Sequence, residues 1–79
     1  MRIQIKVATI LLKKAEPPLE SSKFVYDVPD GIDVDGLITL LGIPRGLVGS
    51  VTVNNRRARG ERTIAEDDIV AIIPAISGG

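Results

Sequence analysis

In the opening stretch RIQIKV, Ile3, Ile5 and Val7 alternate with Arg2, Gln4 and Lys6. A period of two puts one set of side chains on each side of an extended chain, so the stretch predicts a strand with one buried face. FVYDV repeats the pattern with Phe24, Tyr26 and Val28 on one side, and predicts a second strand that forms a hairpin with the first. TILLKKAEPPLESSK, between them, carries two prolines and two serines and reads as a loop. PDGID then breaks the chain and offers Asp33 as a helix N-cap.

From Val34 the period changes. Val34, Leu37, Ile38 and Leu41 fall at i, i+3, i+4 and i+7, one face of a helix, and Gly42 and Pro44 supply the stop. Gly36 inside that helix costs about 1 kcal/mol relative to Ala, so the helix is predicted to be short and held by packing. SVTVNNRRA alternates through Val51 and Val53 into Asn54-Asn55, residues that tolerate the positive φ of a tight hairpin turn. RTIAEDDIVAIIP predicts a turn over Glu66 to Asp68 and then an unbroken apolar run from Ile69 to Ile73. Such a run is the pattern of a strand buried on both faces, often in parallel pairing.

The order strand, strand, helix, short strands, buried last strand buries every apolar face if the last strand pairs parallel to the first and the helix covers the sheet. That is an α+β architecture, the β-grasp or ubiquitin-like roll, with four to five strands in a mixed sheet and one main helix. Ile3, Ile5, Val7, Leu37, Leu41, Ile69 and either Val70 or Ile72 are the predicted core. Residues 1–73 read as one domain and 74–79 as a flexible tail ending in Gly78-Gly79.

Composition narrows the chemistry. A chain of 79 residues with 44% hydrophobic but only 3% aromatic residues packs with aliphatic side chains and has almost no platform on which bases could stack. Ten basic residues balance ten acidic ones, which removes the drive for phosphate-backbone binding, so nucleic acid is not an expected partner. There is no Cys and no His, which excludes disulfides, thiolate catalysis, Cys/His zinc sites and an imidazole base. No apolar run approaches the roughly 20 residues of a membrane span, and a cytoplasmic location without membrane contact is expected.

Three stretches resemble one family. VDGLITLLGIP is similar to its Leu-rich helix with a Gly-aliphatic-Pro break, VTVNNR to its hairpin, and EDDIVAIIPAISGG to its closing acidic turn, apolar strand, proline and Gly-Gly. Together, from Val34 to Gly79, they resemble the MoaD/ThiS family of ubiquitin-like sulfur carriers, nearer the small subunit of molybdopterin synthase by the closing block. The resemblance implies a carrier and not an enzyme. A partner adenylyltransferase resembling ubiquitin-activating enzymes would use ATP and Mg to convert the Gly79 carboxylate to an acyl-adenylate, and a sulfur donor would turn it into a thiocarboxylate. The acceptor would be the large subunit of molybdopterin synthase or thiazole synthase. Pro74, Ala75, Ile76, Ser77 and Gly78 would enter the partner's site, with no cofactor bound to the chain itself, a monomer when free.

Physical chemistry agrees with that scheme. A free carboxylate is a poor electrophile, and GIPRGLVGS lacks the lysine and spacing of a phosphate-binding loop, so activation falls to the partner. Glycines 78 and 79 lack Cβ and suit a narrow channel, and six residues from Pro74 extend roughly 20 Å. NNRRARGER sets Arg56, Arg57, Arg59 and Arg62 close together, either as a solvated hairpin or as a docking patch for an acidic partner. Glu66, Asp67 and Asp68 lack the spacing of a metal loop and read as turn-formers, so no metal is assigned. Two other functions share these features: a protein modifier conjugated through Gly79, and an interaction module that binds by strand addition at a sheet edge.

Overall fold

The computed structural model describes residues 1–75. The alternating stretches form strands β1 (Arg2–Val7), β2 (Lys23–Asp27), β3 (Val48–Val53), β4 (Arg56–Ala58) and β5 (Ile69–Pro74). Helix α1 (Thr9–Leu12) follows the first strand, helix α2 (Val34–Leu41) follows the second, and a 3-10 turn covers Arg45–Leu47. One sheet has the order β2-β1-β5-β3-β4, with β1 and β5 parallel and every other pair antiparallel. This is the β-grasp roll.

α2 forms where its stripe and caps agree. The Asp33 carboxylate accepts a hydrogen bond from Gly36 N–H at 2.7 Å. The amides of Val34 and Asp35 donate to the carbonyls of Arg62 and Gly60 at 3.0 and 2.9 Å, so the segment after β4 satisfies helix donors that would otherwise be orphaned. Gly42 closes the helix at φ +73°, and a Cβ there would collide with the Glu16 carbonyl. Asn54 and Asn55 take φ values of +53° and +69° in the β3–β4 turn.

Val34, Leu37, Ile38 and Leu41 of the helix are buried against Ile3, Ile5, Val7, Val51, Val53, Val70 and Ile72 of the sheet. Ile69 does not join them, which corrects the predicted core. The register Ile5↔Val70 and Val7↔Ile72 turns both of those β5 residues toward α2, and alternation then sends Ile69, Ala71 and Ile73 to the other side. That side has no covering layer among the described residues, and Ile73 is 39% exposed. β5 is therefore buried on one face, not on two as its continuous apolar run predicts.

Two further differences follow from packing. The loop read after the first strand begins as a helical turn, α1, because Leu11 and Ala15 bury into the core. Pro74 does not start a tail but ends β5 opposite Val48. The register shifts between Val48 and Ser50, an irregularity of the kind that tolerates a residue without an N–H. Among the described residues no helix is long and apolar enough to cross a membrane.

Leu37 is fully buried at the centre of the helix face. Leu37→Ala is expected to lower stability by about 2–5 kcal/mol, and chemical denaturation checks it. An unchanged midpoint would show that this face does not carry the core.

Candidate functional site

β5 runs through the middle of the sheet, and its two ends are built differently. At the start, Asp68 is only 8% exposed. Its carboxylate accepts from the Asn54 side-chain amide at 2.9 Å and from Ala65 N–H at 2.8 Å. The Asn54 side-chain oxygen in turn accepts from Ile69 N–H at 2.9 Å. Asp68 thus shapes the turn as predicted, and with Asn54 it also ties that turn to the β3–β4 hairpin and sets where β5 begins.

At the other end the backbones come unusually close. Ala75 N–H donates to the Leu47 carbonyl at 2.8 Å, and a Cβ on Gly49 would lie 2.7 Å from the Pro74 carbonyl oxygen. Gly49 is the residue the register skips, so the bulge and the missing side chain together let the outgoing chain lie against β3. Beside it, Ile10, Leu11, Lys14, Leu47, Pro74 and Ala75 line an apolar groove. Ile10 is 67% exposed and Leu47 37% exposed, so the exit is rimmed by apolar surface with one lysine.

Of the predicted site residues, Pro74 and Ala75 sit at this exit. Ile76, Ser77, Gly78 and Gly79 lie outside the described residues. Arg56, Arg57 and Arg59 are exposed on and just after the edge strand β4. Arg56 pairs with Val53, which pairs with Val70, whereas the chain leaves four residues later at Pro74. At about 3.3 Å per residue that is roughly 13 Å along the strand, so Arg56 lies away from the exit. β4 runs back toward it: Ala58 pairs with Val51 beside Ile72, and Ala58 and Gly60 line a cavity with Gly49, which sets Arg59 nearer the exit end. Ile10, Leu47 and Gly49 escaped the sequence reading. The one available signal was three consecutive large aliphatics in TILLKK, more apolar surface than a solvated loop can cover.

A five-stranded β-grasp sheet whose last strand carries the chain out past a bulge defines a small ubiquitin-like protein. The ThiS family model matches residues 16–79, and the chain belongs to that family, within the MoaD/ThiS group of small carrier proteins. No curated protein matches it significantly in sequence. Among solved structures it is similar to the small archaeal modifier protein SAMP1 of Haloferax volcanii, at 20% identity and a TM-score of 0.67 over 100% of both chains. It is similar to a putative molybdopterin converting factor subunit 1 of Pyrococcus furiosus, at 16% identity and 0.73 over 96% and 99%. A complex of subunits 1 and 2 of molybdopterin-converting factor from Helicobacter pylori 26695 matches at 15% identity and 0.61 over 100% of both chains.

Gly49→Val is expected to push the outgoing chain off Leu47, with loss of about 1–3 kcal/mol of stability from overpacking. Hydrogen exchange reads the same event directly, since the Ala75 amide should lose its protection. Retained protection would mean that β3 absorbs the side chain and that the close approach is unimportant.

Proposed function

We propose that this chain is a sulfur carrier whose working group is the main-chain carboxylate of Gly79. The observation that carries the reading is the exit itself, a strand-to-tail transition held by Leu47 and Gly49 and rimmed by exposed apolar surface. The family match running through residue 79 supports it. A body that fixes the root of a tail while leaving its rim free for docking suits a protein presented to partner enzymes.

The chemistry divides between the chain and its partners. An adenylyltransferase joins the Gly79 carboxylate to AMP from Mg-ATP and releases pyrophosphate, with the phosphates held and neutralised by that enzyme. A partner persulfide attacks the activated carbonyl and expels AMP. A thiol then cleaves the resulting S–S bond and frees the thiocarboxylate. The four residues after Ala75 reach at most about 14 Å, so docking of the Ile10–Leu47 rim must bring the body close to the reacting centre. Gly78 supports this by adding no Cβ to the width of the chain.

The acceptor we favour is the large subunit of a molybdopterin-type synthase, on Pro74 and the closing block, and similarity to subunit 1 of molybdopterin converting factors supports it. A thiazole-forming synthase is the alternative, supported by the ThiS match. Conjugation to proteins through the same adenylate is the second reading, supported by the likeness to a small archaeal modifier protein.

Incubated with Mg-ATP and its activating enzyme, the chain should release pyrophosphate, and a sulfur donor should then give a mass corresponding to one oxygen replaced by sulfur. Deleting Gly79 or adding a residue after it should abolish both products without changing the denaturation midpoint, and Gly78→Ala should slow them. Normal loading of the lengthened chain would remove the terminal carboxylate as the site. Adducts on cellular proteins, in place of sulfur transfer, would select the modifier reading.

A further inference from the structure

The sheet has two free edges, and they are not alike. β4 has three residues and carries Arg56 and Arg57, the short charged strand by which sheets commonly avoid pairing. β2 has five residues, KFVYD, with Val25 57% exposed at their centre. Its backbone orientation follows from the ladder to β1. Val7 N–H donates to Ser22 and Val28 N–H to Met1, both at 2.8 Å, and the register between them is Ile5↔Phe24 and Ile3↔Tyr26. Antiparallel alternation therefore turns the main-chain groups of Phe24 and Tyr26 toward β1 and those of Lys23, Val25 and Asp27 toward the open edge.

The side chains of this edge are self-complementary. In an antiparallel pairing centred on Val25, Lys23 meets Asp27 of the second copy, Phe24 meets Tyr26, and Val25 meets Val25. The facing 23–27, 25–25 and 27–23 pairs are those whose main-chain groups point outward, so the pairing supplies about six inter-strand hydrogen bonds. Within one copy Lys23 stands opposite Lys6, a like-charge neighbour, while Asp27 stands opposite Arg2 and contacts it at 3.3 Å. Pairing gives Lys23 the carboxylate that its own sheet lacks. On the helix side, Phe24 and Tyr26 meet edge to face at 5.8 Å and border a groove with Pro18 and Leu19, where the second copy's Tyr26 and Phe24 would sit.

We infer that β2 is a docking edge for a second copy of this chain, forming a two-fold antiparallel β2–β2 pair with Lys23–Asp27 ion pairs at both ends. The contact is isologous, so it closes on itself and does not propagate. It is small and belongs to the weak, concentration-dependent class of interfaces. One device opposes it. The Ser21 hydroxyl donates to the Lys23 carbonyl at 2.7 Å and accepts from Lys23 N–H at 3.3 Å, occupying the outward groups that the second copy needs. β1 separates β2 from β5, so pairing leaves the exit at Pro74 uncovered.

Sedimentation equilibrium and concentration-dependent amide NMR shifts on the full chain test this. Self-association is expected, with the shifts confined to residues 18–27. Lys23→Glu and Asp27→Lys should each weaken it at least tenfold by setting like charges face to face, and an equimolar mixture of the two variants should recover it as a heterodimer. Ser21→Ala should tighten it several-fold. All three positions are exposed, and a denaturation midpoint near the parent's verifies that each variant is folded. A chain that stays monomeric up to about 1 mM, the bottom of the useful affinity scale, overturns the proposal. So do charge variants that associate like the parent, a mixture that stays monomeric, or shifts centred on Leu47 and Ile73.

Discussion

β1 and β5 come from opposite ends of the described chain and meet in the middle of the sheet. Closing so long a loop carries an entropy cost that grows only slowly with its length, but that cost must be offset by what forms when the strands meet. The parallel ladder supplies it, because Ile5↔Val70 and Val7↔Ile72 place two strands' inward residues in register beneath α2. Without that register the helix stripe has no floor. β3 then pairs with the far side of β5, and β2 with the far side of β1, so both outer hairpins depend on the central pair.

The same ladder decides where the chain leaves the fold. A one-residue slip of β5 would turn Val70 and Ile72 outward and move the exit relative to Leu47. The slip is opposed at the start of the strand by Asp68 and Asn54, whose side chains hold Ala65 N–H, Ile69 N–H and each other. Exposed polar turns rarely fix a register, and this one does so because the Asp68 carboxylate is buried and satisfied. The hydrogen bonds at one end of β5 thereby determine the geometry at the other, a link that passes along a single strand.

Much of this was legible wherever one residue type admits one backbone state. Asp33 before the helix stripe, Gly42 after it and Asn54-Asn55 between alternating stretches each took the conformation their chemistry favours. The continuous run Ile69 to Ile73 was not legible in phase, because without polar residues alternation leaves no mark and only the partner strand decides which side faces in. α1 was hidden by its length, since four residues held by Leu11 have no periodicity to read. Gly49 looked like any loop glycine. Its role exists only in the approach of Pro74, a contact between segments far apart in sequence.

The placement of exposed apolar side chains carries the argument one step further. Scattered singly, such residues have no special meaning. Here Ile10 and Leu47 rim the exit groove, and Ile73 emerges at the same end of β5 on the open face. A chain with no net charge gains little colloidal protection from self-repulsion, so apolar surface gathered at one end is a liability unless something covers it in use. Arg56 and Arg57 lie toward the turn end of the β3–β4 hairpin, while Lys14 lines the groove itself and Arg45 opens the short turn that carries Leu47. The groove at the end of β5 therefore combines an apolar rim with basic side chains, and under the carrier role proposed above that combination would sit where a partner docks.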